Sequence, residues 1–235
     1  MAFRFLNMRC RGRTTAATLA LVLICAAAVA DAQRFIELSA AAQLSRGRVK
    51  ALAAGKCLVA ARDLPDPNFN DSVVLLAEYG ETGAMGVIVN RPTDLPIARV
   101  LGDLKAAQGR NDAVYFGGPV STNGLVALAR SKSAIGDSRR VLEDVHLVTS
   151  RESLEALIAS GTKRDRLRTY LGYAGWGPGQ LERETAAGSW HVLPADAELV
   201  FDPEPEALWR RLIQSTERFI ALRLYGPVDR LHRAA

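Results

Sequence analysis

Two short polar segments stand where chemistry could be done. Asp66-Pro67-Asn68-Phe69 sets a carboxylate and an amide on a turn, and Asn90-Arg91-Pro92 sets an amide and a guanidinium at the end of an apolar run. Arg91 offers a planar fork of donors that suits a carboxylate or a phosphate. A third stretch, Gly172-Tyr173-Ala174-Gly175-Trp176-Gly177-Pro178-Gly179-Gln180-Leu181-Glu182, surrounds a tryptophan with glycines. Glycine lets a backbone approach a neighbour closely, and a helix opening near Pro178 would aim N–H groups at the same spot, which favours an anion. Asp66, Asn68, Asn90, Arg91, Gly175, Trp176, Gly177 and Gln180 thus form one candidate binding cluster. Each part also has an internal explanation. Asp and Asn before turns bond their own backbone, Arg91 can pair with Asp66, and Trp176 can plug a strand-to-helix corner.

Signals for catalysis are missing from the sequence: it has no G-x-S-x-G, P-loop, G-x-G-x-x-G after a strand, H-E-x-x-H or C-x-x-C. His146, His191 and His232 are widely separated and lack ligand spacing, so neither a metal nor a cofactor is expected. Cys57 could act as a nucleophile if a distant histidine approached it. It opens the apolar run Cys57-Leu58-Val59, however, and free cysteine is among the most buried residue types, so a core position is expected. No catalytic residue is assigned.

The elements that must hold the cluster follow from periodicity and turn chemistry. Cys57–Ala61, Ser72–Tyr79 and Met85–Asn90 read as strands, the last two joined as a hairpin through Gly80-Glu81-Thr82-Gly83. Pro96–Gln108 has helical spacing, weakened by Gly102. Val114–Phe116, Leu125–Ala129 and Val145–Val148 are further strands, with Gly117-Gly118-Pro119 a turn between the first two. Thr149-Ser150-Arg151-Glu152 has capping-box spacing and opens a helix ending near Gly161. Arg168–Tyr173 reads as strand, Pro178–Thr185 as helix and Trp190–Leu193 as strand. Asp202-Pro203 supplies an N-cap and a first-turn proline for a helix with Leu208, Trp209, Leu212 and Ile213 inward. Phe219–Leu224 reads as a final strand. Strands arrive in groups rather than alternating with helices, which predicts an α+β fold.

Ahead of these elements, Arg4, Arg9, Arg11 and Arg13 precede the apolar run Ala16–Ala30, and small-x-small sites stand at its end, Ala28-Val29-Ala30 and Ala30-Asp31-Ala32. This is the pattern of a secretory signal peptide over residues 1–32. The 15-residue run is short of the ~20 residues of a membrane-spanning helix, so no stable span is expected after cleavage. The chain has 235 residues and a formal charge of +5. Removing the leader takes away four arginines and Asp31, which leaves 26 basic against 24 acidic residues, or +2. With that charge and no helix-turn-helix or zinc-finger pattern, direct nucleic-acid binding is not expected. Cys10 and Cys25 leave with the leader, so Cys57 has no intrachain partner for a disulfide. Residues 33–54 read as an N-terminal helix or arm, 55–216 as the main domain and 217–235 as a C-terminal extension, frayed beyond Pro227.

Taken in order, Asp66–Phe69, Gly83–Pro92, Tyr115–Val120 and Gly172–Glu182 resemble the signature segments of the AlgH/YqgE family, bacterial proteins widely labelled uncharacterised or regulators of transcription. The resemblance runs from about Gly55 to Leu212. It implies a bifurcated, partly antiparallel β-sheet curled into a pseudo-barrel with helices packed outside, and it supplies no reaction. Two departures stand out. Ala129 aligns where relatives commonly carry a histidine, and a leader precedes a domain whose relatives look cytoplasmic. The resulting expectation is a periplasmic or secreted domain that binds a small anionic ligand or a protein partner rather than catalysing. A cytoplasmic regulator acting through partners is the rival. An enzyme using Asp66, Asn90 and Arg91, with or without Cys57, is the third reading.

Overall fold

The computed structural model describes residues 47 and 49–225. Among the described residues ten strands form one sheet: β1 (Lys56–Ala60), β2 (Val73–Gly80), β3 (Gly83–Ile88), β4 (Pro92–Pro96), β5 (Ala113–Phe116), β6 (Val120–Arg130), β7 (Ser138–Arg140), β8 (Val145–Val148), β9 (Leu167–Trp176) and β10 (Trp190–Pro194). The main path runs β10-β1-β2-β3-β9-β6-β8-β7, and every neighbouring pair along it is antiparallel. β5 pairs parallel with β9 and antiparallel with β4. The sheet therefore forks at β9. Tyr170 and Leu171 ladder to β5, whereas Ala174, Gly175 and Trp176 ladder to β3. The curled sheet forms a half-barrel.

Alternation along the strands sorts the core onto two faces. Val126 and Leu128 of β6 join one cluster with Tyr170, Trp190, Leu208, Trp209 and Ile213, while Ala127 and Ala129 join another with Ile97, Leu154 and Ile158. Helices cover both faces. They are α1 (Ile97–Val100), α2 (Arg151–Ala159), α3 (Gln180–Ala187), α4 (Ala197–Val200) and α5 (Pro205–Tyr225). α2 begins one residue later than the Thr149–Glu152 capping-box spacing sets it: Ser150 is the N-cap, its hydroxyl accepting from the Ser153 N–H. α5 is fastened to the sheet by Trp209, whose Nε1 donates to the Ala60 carbonyl over 2.8 Å.

Arg168 closes one end of the larger core. Its guanidinium lies 4.9 Å from the Tyr115 ring centroid and 5.8 Å from that of Phe201, and it donates to the carbonyls of Val200 and Asp202. A buried cation thus caps α4 at the end where the helix dipole favours positive charge.

Gly118 and Gly172 are demanded by close backbone contact. A Cβ on Gly118 would stand 2.2 Å from the Tyr173 carbonyl carbon, and one on Gly172 would stand 2.3 Å from the Gly118 oxygen. Both residues have positive φ. The crossing of these segments, not a ligand, accounts for the pair.

Several sequence expectations are corrected. Phe219–Leu224 continues α5 instead of forming a strand, because a short apolar run is ambiguous in period and extending an existing helix costs less than opening a new strand. That helix begins at Pro205 rather than Pro203; Asp202 Oδ1 accepts from the Glu204 N–H in a tight turn that delays the start. Pro96–Gln108 is broken into α1 and a 3-10 turn at Lys105–Ala107, with Gly102 between them. β4, β7 and α4 had no counterpart in the sequence reading. Of the arm at 33–54, Gly47, Val49 and Lys50 are helical and Val49 packs on the core, while most of the remainder, like the leader, lies outside the described residues.

Candidate functional site

The 61–71 loop connects β1 to β2 and is built by its own polar groups. Asp66 Oδ1 accepts from the Asn68 backbone N–H at 2.9 Å and from Asn68 Nδ2 at 3.0 Å. Arg91 reaches across from the end of β3, donating to the Asn68 carbonyl at 2.6 Å and to the Asn70 carbonyl. Burial pulls the Arg91 guanidinium below its ordinary pKa, against the opposing charge of Asp71. Arg91 and Asp66 thus brace one loop through its backbone and do not make the ion pair that the sequence suggested.

Asn90 works as a piece of substitute backbone. It is only 5% exposed. Its Oδ1 accepts from the Val73 N–H at 2.7 Å and its Nδ2 donates to the Asp71 carbonyl at 2.9 Å. β2 and the loop are thereby tied together just beyond the end of β3, where the chain passes on to β4.

The loop and the glycine-rich corner do meet, and aromatic rings join them. Phe69 stacks on Trp176 with centroids 5.8 Å apart and planes 23° from parallel. Trp190 stands edge-on to both, 5.6 Å from Phe69 and 5.9 Å from Trp176. The Glu184 carboxylate locks the rings: Oε2 accepts from both indole N–H groups at 2.9 Å, and Oε1 accepts from Gln180 Nε2 at 2.8 Å. Gln180 Oε1 in turn accepts from the Gly177 N–H. The donors at the start of α3 are therefore partly engaged from within the corner. Tyr79 donates to Glu182, and burial, then that hydrogen bond, pushes its pKa up to about 12.

Phe69, Trp190 and Glu184 were not assigned to the cluster from sequence. The four-residue step from Gln180 to Glu184 on one helix was the one local signal for Glu184; the tryptophan pair is created by the chain's return through β10.

Gly175 and Gly177 differ from the crossing glycines. Both are exposed, neither has positive φ, and an added Cβ would meet nothing nearer than 3.5 Å at Gly175 or 3.9 Å at Gly177. β6 follows β9 only to Tyr173, so Gly175 and Trp176 are laddered to β3 alone.

Cys57 and His146 lie outside the cluster. Cys57 is fully buried, and burial pushes its thiol pKa far up. His146 lies directly across the ladder from Ala129; its Nδ1 is 3.3 Å from the Ser138 hydroxyl, and its buried Nε2 has no partner among the described residues. No group of three metal-binding side chains occurs among the described residues. An open groove of about 770 Å³ shares no residue with the cluster, and in its wall Arg130 is bound to both Asp144 and Glu198.

Comparison with known proteins agrees with the topology. The AlgH-like family matches residues 57–219. The UPF0301 protein of Thioalkalivibrio sulfidiphilus is 42% identical over 65% of this chain and 83% of its own length, and that of Streptomyces coelicolor is 37% identical over 74% and 92%. The solution structure of the AlgH protein from Pseudomonas aeruginosa is similar with a TM-score of 0.57 and 34% identity, covering 74% of this chain and 94% of that one. A crystal structure of a protein from Corynebacterium diphtheriae, DIP2367, is similar with a TM-score of 0.59 and 25% identity, over 70% and 87%. With the forked sheet, the glycine-rich corner and these likenesses together, the chain belongs to the AlgH-like family.

Proposed function

We propose that this chain is an exported binding domain that catalyses no reaction of its own and takes an extended protein segment against the Gly175–Gly177 corner. The observation that carries the reading is the pair of exposed glycines beside a locked aromatic cluster. Glycine in a strand weakens it relative to alanine by roughly 0.5–1 kcal/mol, which applies to Gly175 in β9, and neither φ nor packing demands a glycine there or at Gly177 just beyond the strand. A backbone coming from outside supplies the missing reason. Main-chain groups of a partner can pair along the side of β9 that β6 leaves after Tyr173, while Phe69 and Trp176 hold the surface rigid.

The polar cluster supports binding over catalysis. Asp66, Asn90 and Arg91 are occupied in bracing the loop, so none is poised as an acid, base or nucleophile. Arg91 has both terminal nitrogens on carbonyls, which favours a protein partner over a small anion. Export rests on the arginine-flanked apolar leader, and the charge of +2 after its removal speaks against nucleic acid.

A photo-crosslinking residue in place of the exposed Pro178 tests the reading in living cells, with the same residue at exposed Ser160 as control. A discrete adduct at 178, missing at 160 and abolished by Gly175→Arg, is expected. Adducts of equal yield at both positions, or one indifferent to Gly175→Arg, refute the proposal. Quenching of tryptophan fluorescence by inorganic phosphate that Gly175→Arg suppresses would assign the corner to an anion instead.

A further inference from the structure

The last turns of α5 turn away from the core. Leu208, Trp209 and Ile213 are buried, whereas Phe219 is 62% and Leu222 46% exposed, the two large apolar side chains most open to solvent among the described residues. Steps of four, three and four residues set Arg211, Ser215, Arg218 and Leu222 along one side of the helix, opposite Trp209 and Ile213. Gln214 and Phe219 flank that row, and the six residues line one open surface. No carboxylate is among them. Glu217 turns instead to Arg62, at 2.7 Å. Arg211 is held by Asp202 and Glu204, and among the described residues Arg210 and Arg218 are paired with no carboxylate.

We propose that this face of α5 docks on the surface of an anionic phospholipid bilayer. Arginine stems lie along apolar side chains while their heads reach outward to phosphate, so a surface that mixes Arg218 with Phe219 and Leu222 fits the boundary between headgroups and acyl chains. The sequence continues in the same character through Arg223, Leu224 and Tyr225, with Arg230 and Arg233 against Asp229 beyond. A second copy of this chain is a poorer occupant, because antiparallel helices would set arginines against arginines. A protein groove is poorer too. It would want apolar anchors repeating over several turns, yet Gln214 and Ser215 precede the exposed apolar pair. Shallow insertion of a basic, apolar-tipped helix end asks for no such repeat. The inference is independent of what binds at the Gly175–Gly177 corner.

Co-sedimentation of the purified full chain with phosphatidylcholine vesicles, with and without phosphatidylglycerol, tests it. Pelleting with the anionic vesicles alone, reversed by salt, is expected. Each positive charge near an anionic surface is worth ~1 kcal/mol, so Arg218→Ala should weaken partitioning about fivefold. Leu222→Ser and Phe219→Ser should weaken it as well, with unchanged melting temperatures because both side chains are exposed. The leader's own arginines and apolar run are the same in every variant, so binding that none of the α5 substitutions alters belongs to the leader and overturns the proposal. Equal pelleting with neutral vesicles, or none with either, does likewise. Concentration-dependent dimers in sedimentation velocity that Leu222→Ser dissolves, without vesicle binding, would give the face to a second copy.

Discussion

Replacing Asn90 by alanine should be among the more damaging single changes near the corner, although no charge or large apolar group is lost. The Val73 N–H that Asn90 Oδ1 satisfies belongs to a fully buried residue, and Ala60 already donates to the neighbouring Ser72 carbonyl, so the strand end has little room to readjust. An orphaned buried donor costs ~1–3 kcal/mol. The Asp71 carbonyl on the other side of the carboxamide belongs to an exposed residue and regains water at small cost. A net loss of about 2 kcal/mol follows, and a domain of this size loses ~2–4 °C of melting temperature per kcal/mol, so the midpoint should fall by roughly 4–8 °C. Asn90→Asp sharpens the test. An ionised carboxylate still accepts from Val73 but repels the Asp71 carbonyl, so its folded pKa should be raised. Stability from such a group is present below the unfolded pKa and lost as pH rises through the folded value. The deficit of Asn90→Asp against the native chain should therefore be small in acid and grow toward neutral pH. Circular dichroism melts across that range read both effects. A drop below about 1 °C for Asn90→Ala, or a deficit of Asn90→Asp that does not vary with pH, would refute the role given to the carboxamide.

Cys57, fully buried with its thiol pKa raised by burial, should resist iodoacetamide in the native protein and react once urea unfolds it. Labelling of the native state at the rate of a free thiol would count against its core position. Arg168→Met keeps the stem but leaves the Val200 and Asp202 carbonyls without their donor, and it should cost ~2–3 kcal/mol in urea titration. A loss under about 0.5 kcal/mol would show that water replaces the guanidinium. Asp202 is partly buried, which raises its pKa, but Arg211, the Glu204 amide and Arg168 together hold it below the ordinary aspartate value. Its contribution is present above the unfolded pKa near 4 and is lost as pH falls through the lower folded one. Melting temperature should accordingly decline more steeply below about pH 4 in the native chain than in Asp202→Asn. Parallel curves would contradict this.

Elements with a strong local cause were legible in the sequence. The β2–β3 hairpin is announced by Gly80 and Gly83, which pair across the turn, and α2 by the capping residues at 149 and 150, of which Ser150 is the one used. β4 was hidden because Pro92 and Pro96 bound it and proline argues against a strand; it survives by pairing with β5 alone. β7 is three polar residues whose strand character comes wholly from the β8 edge. The cluster was half legible. The sequence brought Asp66, Arg91 and Trp176 together, but the contact that joins loop to corner runs through Phe69, Trp190 and Glu184, and Phe69 is 121 positions from Trp190. No local pattern encodes a pairing at that separation.

The fork at β9 governs when this chain can fold. β3, β5 and β6 all precede β9 in sequence, and each needs it as a neighbour, across a gap of about 90 residues for β3. β1 finds its outer partner later still, when Lys56 meets Pro194. Loop closure over such distances must be met before the contacts return anything, so neither branch of the sheet can settle until Trp176 is available. A nascent or translocating chain should remain open through most of its length and then close both branches around one late strand. For a chain exported as proposed above, that delay keeps the polypeptide threadable until nearly all of it has crossed.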